Sequence, residues 1–331
     1  MSLDQYKRAF SKLRSDVKAY WPATTLHRAP HKPFLLLSIM DLMANDRVQT
    51  NFFQLGAELI DTFNLYWEKI IGNNRESNIL MPFYHMTSEG FWHLIPSPGM
   101  EQALASIGKI KSYRQFNQVA LGAKLNDNLF VLLSASDTRD ALRRALIEKY
   151  FAPDIRAEIV NVGRITTQSF EYSRELIDRL KGRFTLKEAP EANETYLTDS
   201  RTVAFRRVVV EAYQHTCSFC RIRVRTPDGH TAVAAAHIVP WSHGHNDDPR
   251  NGMALCGLHH WAFDRGLISV EDYKIRVSPV ATSDDNAAPS ILELDGRPIY
   301  LPNEQMLWPA KSALRWHIEN IFWDKVPPRL L

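Results

Sequence analysis

The sequence predicts a mixed α+β protein in two parts, an α-rich N-terminal domain followed by a small α+β domain built around a metal. Three observations carry this reading. Apolar residues recur at helical spacing through the first half, the stretch Leu186–Ser200 is polar and poor in aliphatic residues, and all three cysteines lie beyond it in paired spacings. The length of 331 residues exceeds the ~100–200 residues of one typical domain. With 45% hydrophobic and 23% charged residues the composition is that of a folded, core-bearing protein and not of a disordered chain.

The elements follow in order. Tyr6, Phe10, Leu13 and Val17 share one face of an expected amphipathic first helix. Pro30 and Pro33 bracket His31 and Lys32, and Pro33 suits the first turn of an apolar helix running to Met43. Ser38 and Asp41 interrupt that helix, and it falls short of the ~20 apolar residues that a membrane span requires, so it reads as a buried helix. A second apolar helix is expected over 52–71, and Asn73, Asn74 and Ser77 mark a loop. Ser88-Glu89-Gly90 reads as a turn into a strand at 91–94, and Ser136 or Asp137 as the cap of a helix bearing Leu142, Ala145 and Leu146. A domain over 1–185, a linker over 186–200 and a second domain over 201–331 follow from the polar stretch. Beyond it the sequence suggests a helix at 203–213, a strand at 231–237, and a loop to Arg250. A short helix at 257–264 and a hairpin turning at Glu271-Asp272 complete the chain.

The N-terminus, MSLDQYKRAF, has no apolar secretory run, which points to a cytoplasmic protein with no membrane partner. Net charge is only +3, so bulk charge does not declare a polyanionic partner. The arginines Arg201, Arg206, Arg207, Arg221, Arg223 and Arg225 nevertheless cluster around a single acid, Glu211. Such a cluster suits phosphate neutralisation, and a plain solvated face would look the same.

An odd number of cysteines argues against a disulfide framework. Cys217-x-x-Cys220 and Cys256-x-x-His259 each present two ligands from one turn. Together they make a closed Cys3His set suited to a structural Zn²⁺.

Around these ligands lie Ala236-His237-Ile238-Val239-Pro240-Trp241, Arg250-Asn251-Gly252, and His259-His260-x-x-Phe263-Asp264-x-Gly266-Leu267. In order and spacing this run, from Tyr213 to about Val270, resembles the HNH, or ββα-metal, endonucleases. The resemblance implies a zinc-stabilised nuclease that hydrolyses DNA phosphodiesters with Mg²⁺ or Mn²⁺. It assigns His237 as general base, Asn251 as the residue that holds the loop and orients His237, and His260 as a ligand of the catalytic metal. Many members carry aspartate before the base, where this chain has Ala236. In the colicin branch a second ligand lies one turn after the last histidine, which here is Asp264, on one helix face with His260. Asp264 as a helix cap or a partner of Arg265 is the bland alternative. His243, His245, Asp247 and Asp248 are reserve ligands, although polar loop residues usually face solvent.

The N-terminal segments Ala29-Pro30-His31-Lys32-Pro33-Phe34 and Met81-Pro82-Phe83-Tyr84-His85-Met86 are similar to the sulfur-binding domain of modification-dependent restriction endonucleases. That family binds phosphorothioated double-stranded DNA by seating the sulfur in an apolar cavity flanked by basic side chains. By this resemblance His31 and Lys32 meet phosphates, Pro82 and Met81 line the cavity, and His27 and Arg28 add charge. Arg221 and Arg223 would contact DNA beside the nuclease. Family members often have tyrosine where this chain has Met81. The expected protein is thus a type IV-like restriction endonuclease reading modified DNA, and double-strand cleavage by one site per chain would call for a homodimer. The sequence leaves open a regulatory or protein-binding first domain, and a zinc-stabilised DNA-binding protein without catalysis.

Overall fold

The computed structural model describes residues 1–72, 75–108, 110, 112–188, 196–226, 230–281 and 291–325. The chain divides into two compact units, Met1–Thr167 with Thr226–His230, and Gln168–Arg225 with Thr231–Leu331. The architecture is α+β, helix-rich with small antiparallel sheets.

The first unit contains α1 (Leu3–Phe10), α2 (His31–Ala44), α3 (Ala57–Ile70), α4 (Leu80–His85), β1 (Trp92–Pro96), α5 (Glu101–Ser106), α6 (Tyr113–Val119), β2 (Ala120–Leu125), α7 (Asp127–Ser134) and α8 (Ser136–Tyr150). Every residue of α2 from Lys32 to Met43 is buried. A helix apolar on all sides has to be surrounded, and α3, α4, α7 and α8 all pack against it. Its one buried acid, Asp41, is neutralised by Arg143 at 2.6 Å and accepts a hydrogen bond from the Tyr66 hydroxyl at 2.7 Å. β1 and β2 form an antiparallel pair with Trp92 opposite Leu125, and the Trp92 indole donates to the Phe83 carbonyl at 2.8 Å.

Several elements differ from the sequence reading. α1 stops at Phe10, and Leu13 is buried in a loop whose amide donates to the Tyr150 hydroxyl at 2.7 Å, while Val17 is exposed and pairs with Arg28. α3 starts at Ala57 because Phe53 is bridged to Ala123 of β2. Neither Ser136 nor Asp137 caps α8; Ala135 occupies that position without a side-chain bond. Ser77 lies in a loop, and Asn73 and Asn74 fall outside the described residues.

The division between the units falls inside α9 (Arg156–Arg179), earlier than the expected linker. The cause is visible in its packing: Tyr172 and Leu176 belong to the hydrophobic core of the second unit. Of the stretch 186–200, residues 189–195 lie outside the described residues, the Glu188 amide donates to the Gly244 carbonyl at 2.9 Å, and the last three residues already belong to α10 (Thr198–Ala212).

The second unit continues with β3 (Val233–His237), α11 (Trp241–Gly244), β4 (Gly252–Cys256), α12 (Gly257–Asp264), β5 (Ile268–Glu271), β6 (Lys274–Val277) and α13 (Lys311–Asn320). β3 and β4 pair antiparallel with His237 opposite Gly252, α10 packs on both strands, and α12 follows β4 directly. α12 ends in a Schellman motif. The Leu267 amide bonds the Ala262 carbonyl at 2.9 Å and the Gly266 amide bonds Phe263 at 3.0 Å, with Gly266 at φ +70°. The β5–β6 hairpin turns at Asp272-Tyr273, one residue later than expected. Both have positive φ, as a two-residue turn of the mirror-image type requires, and the Tyr273 hydroxyl is tied to the Pro309 carbonyl at 3.2 Å.

Candidate active site and metal centre

The sequence places a histidine at the last position of β3, where the strand runs into a loop, and the fold turns that side chain into a cleft. His237 is a quarter exposed, and its ring lies flat on Phe205 of α10 with centroids 3.9 Å apart and planes 6° from parallel. Ala236, one residue earlier, points into the core and is fully buried. Of these two residues only His237 reaches the cleft. That cleft, of about 350 Å³, is lined by His237, His260 and Asp264 together with Trp241, Phe263 and His317.

Asn251 is fully buried and knits the loop to itself. Its side-chain oxygen accepts from the Val239 amide at 2.9 Å, its amide donates to the carbonyls of Val239 and Asn246 at 3.1 and 3.0 Å, and its own carbonyl accepts from Ile238 at 2.8 Å. These bonds hold the backbone that directly follows His237.

His260 and Asp264 stand one turn apart on the outer side of α12, with Nε2 and the carboxylate oxygen 3.5 Å apart and side chains 31% and 59% exposed. Partial burial raises the Asp264 carboxyl above its usual range, and the charges of His260 and Arg265 offset part of that rise. The C-terminal end of α12 is held by His317, whose Nε2 donates to the Phe263 carbonyl at 3.1 Å while Nδ1 meets the Ser269 hydroxyl at 2.9 Å. Burial pushes His317 down to about 4, so it is neutral near pH 7.

The loop acids do not face solvent as polar loop residues usually do. Asp247 and Asp248 are 3% and 4% exposed. Asp248 caps the turn at Pro249–Asn251 and pairs with Arg250 at 2.7 Å. Asp247 accepts from His237 Nε2 at 2.9 Å, from Arg201 at 2.9 Å and from the Tyr172 hydroxyl at 3.1 Å. Burial opposes ionisation of Asp247, but the hydrogen bonds and charges of His237 and Arg201 outweigh it and hold the carboxyl below its ordinary range. Both acids are thus committed to protein partners. The arginine cluster also splits. Arg201 lies over the Trp241 ring at 3.7 Å and Arg207 over Phe170 at 3.9 Å, whereas Arg221, Arg223 and Arg225 are exposed. Tyr172 and Phe205 are site residues that sequence reasoning missed, while Asp247 was named only as a reserve ligand and Arg201 only as one of the arginine cluster, neither as a partner of His237.

A second cluster lies at the junction of the α10 exit, β4 and α12. The ligand atoms of Cys217, Cys220, Cys256 and His259 all lie within 4.8 Å of one another. His259 Nδ1 is 3.5 Å from Cys217 and 3.2 Å from Cys256, and the thiols of Cys220 and Cys256 are 4.0 Å apart. A tetrahedral ion with bonds of ~2.0–2.3 Å sets its ligands ~3.3–3.8 Å apart, so the donor set and its spacing fit a closed four-ligand centre. The Cys217 thiol, bonded by Cys256, lies below its ordinary value, while Cys256 is pushed up to about 11 by the same contact and by burial. His259 Nε2 is buried without a hydrogen-bond partner among the described residues.

In the first unit a cavity of about 460 Å³ is lined by residues that include Trp21, Ala29, His31, Lys32, Met81 and Pro82, which brings together four of the expected residues. Arg28 is not among the lining residues, and Arg14 is. His31 packs edge-on against Trp21, and burial pushes it down to about 4. Lys32 is 8% exposed, and its ammonium is ion-paired with Glu89 and donates to Ser88 at 3.1 Å. The two basic groups expected to meet phosphate are therefore neutral or already paired.

Residues 217–271 match the family model of an HNH endonuclease, and this segment is an HNH endonuclease domain. No curated protein matches the chain. Among solved structures it is similar to a modification-dependent TagI restriction endonuclease, with 20% identity and a TM-score of 0.27 over 35% of this chain. The match spans 37% of that structure's chain. Among the described residues no helix is long and apolar enough to cross a membrane.

Proposed function

We propose that the protein is a modification-dependent restriction endonuclease that hydrolyses DNA phosphodiesters in the cleft of the second unit. The observation that carries this is the convergence of His237, His260 and Asp264 on one cleft inside an HNH segment. His237 takes a proton from a water molecule. The water oxygen forms a bond to phosphorus, and the bond from phosphorus to the departing sugar oxygen breaks. His260 and Asp264 would hold a Mg²⁺ or Mn²⁺ ion. When bound, such an ion supplies Lewis-acid stabilisation of the developing charge. Asn251 keeps the loop after His237 in register. Cys217, Cys220, Cys256 and His259 would hold a structural Zn²⁺, since no position in the set is left open for substrate.

The first unit is, in this reading, the sensor. Its cavity has apolar walls at Trp21, Ala29, Met81 and Pro82, an uncharged His31, a Lys32 already offset by Glu89, and one charge of each sign in Arg14 and Asp16. Such a lining suits a weakly hydrated group, such as the sulfur of a phosphorothioate, better than an ordinary phosphate oxygen. Digestion of matched plain, base-modified and phosphorothioated duplexes by the full chain, with Mg²⁺ or Mn²⁺, tests the proposal. Cleavage of the phosphorothioated duplex alone is expected. Equal cleavage of all three would remove the sensor, and cleavage of none would remove the nuclease.

A further inference from the structure

Resting on that nuclease reading, we propose that Asp247 is the positioning residue of His237, anchored by two residues from outside the HNH segment, Arg201 and Tyr172. One carboxylate oxygen of Asp247 faces His237 Nε2 at 2.9 Å. The other accepts from Arg201 Nη2 at 2.9 Å, from Arg201 Nε at 3.2 Å and from the Tyr172 hydroxyl at 3.1 Å. Arginine can only donate, and an ionised carboxylate can only accept. The Asp247–His237 bond therefore requires the proton on Nε2, which leaves the lone pair on Nδ1. A histidine with that tautomer has one nitrogen free to take a proton from water, and the carboxylate behind it stabilises the imidazolium that results.

The same network fixes the ring. Phe205 stacks beneath it, Arg201 is clamped between Asp247 and the face of Trp241 at 3.7 Å, and Asp247 is almost wholly buried. Tyr172 comes from α9, and Arg201 and Phe205 from α10, all before residue 217, where the HNH match begins. The base of this nuclease is thus held by helices outside the segment that carries its motif. The other charged or titratable groups around the network are Arg179 on α9, His245 beside Trp241, His260 and Asp264 on α12, and His317 on α13.

The test uses the full chain and Asp247→Asn. Arg201 would hold the asparagine oxygen and turn its amide toward His237, so Nε2 becomes an acceptor and the proton moves to Nδ1. Long-range proton–nitrogen NMR of the imidazole is expected to report the Nε2–H form in the wild type and the Nδ1–H form in the variant. Single-turnover cleavage, read well below the melting temperature of the variant, is expected to slow by about 10²–10⁴-fold with zinc content retained. Adding Arg201→Met frees the amide to rotate and is expected to restore part of the Nε2–H form.

A wild-type His237 that carries its neutral proton on Nδ1 overturns the proposal, whether or not the variant folds. So does an Asp247→Asn variant that slows with no tautomer change. If the wild type cuts no DNA, the nuclease reading falls, and the NMR result still decides the role of Asp247.

Discussion

Gly252→Ala separates packing around the base from any general intolerance of substitution. Gly252 sits at φ −126°, a conformation open to any residue, so only space decides the outcome. A Cβ there would lie 2.5 Å from Val209 Cγ2 and 3.0 Å from Phe205 Cζ. Ordinary carbon contacts are ~3.5–4.0 Å, so α10 or the Phe205 ring must yield by about 1 Å. Overpacking of this size costs roughly 1–3 kcal/mol. In a unit of this length that lowers the melting temperature by about 2–12 °C. His237 stacks on the ring that has to move. Displacing a reacting group by ~1 Å costs up to about 10²-fold in rate, so cleavage should fall beyond what the fraction unfolded explains. The control is Gly257→Ala, at the first position of α12 with nothing within 4 Å, which should be neutral or raise stability by about 0.5–1 kcal/mol. Calorimetry and single-turnover cleavage at a temperature well below both transitions read the two effects. An unchanged rate and melting temperature in Gly252→Ala would refute the account of how α10 seats the base.

Other consequences are equally direct. Cys217→Ser should lose zinc by elemental analysis and melt the second unit at lower temperature, because structural zinc supplies folding free energy; a soluble, fully active variant would end the structural-zinc proposal. Asp41→Ala should destabilise the first unit by roughly 3–5 kcal/mol by stranding the buried Arg143 charge, read by denaturant titration. His317 is held neutral down to about 4. Because the unfolded chain takes up the proton first, near pH 6.5, stability of the second unit should be full above that value and fall by about 3 kcal/mol as pH drops toward 4. His317→Asn should flatten that slope. Asp264→Ala should raise the Mn²⁺ concentration needed for half-maximal cleavage, and an unchanged metal dependence would exclude it as a ligand.

How much of this was legible in the sequence depends on what fixes each feature. α12 was readable to its last residue because Gly266 stops it, and the i, i+4 pair of His260 and Asp264 needs only helical geometry to meet. The Cys3His set was readable because both ligand pairs are local. β4 was not anticipated: its five residues are buried almost throughout, and a short apolar run without alternation carries no strand period. The division of the chain was misplaced because α9 is one unbroken helix whose later turns change core, which composition does not register. Asp247 read as a reserve metal ligand or a solvated loop acid, and Arg201 as one of a cluster suited to phosphate or simply solvated. Their partners lie far off in sequence, Arg201 46 residues and Tyr172 75 residues from Asp247, and only the fold brings them together.

In this reading His237 performs the chemistry of DNA cleavage. Single-turnover cleavage of a phosphorothioated supercoiled plasmid in Mn²⁺, by the wild type and by His237→Ala with matched zinc content, tests it most directly. Cleavage by the wild type and none above background by the variant, with DNA binding retained, is the expected result. Cleavage by His237→Ala at the wild-type rate would contradict it.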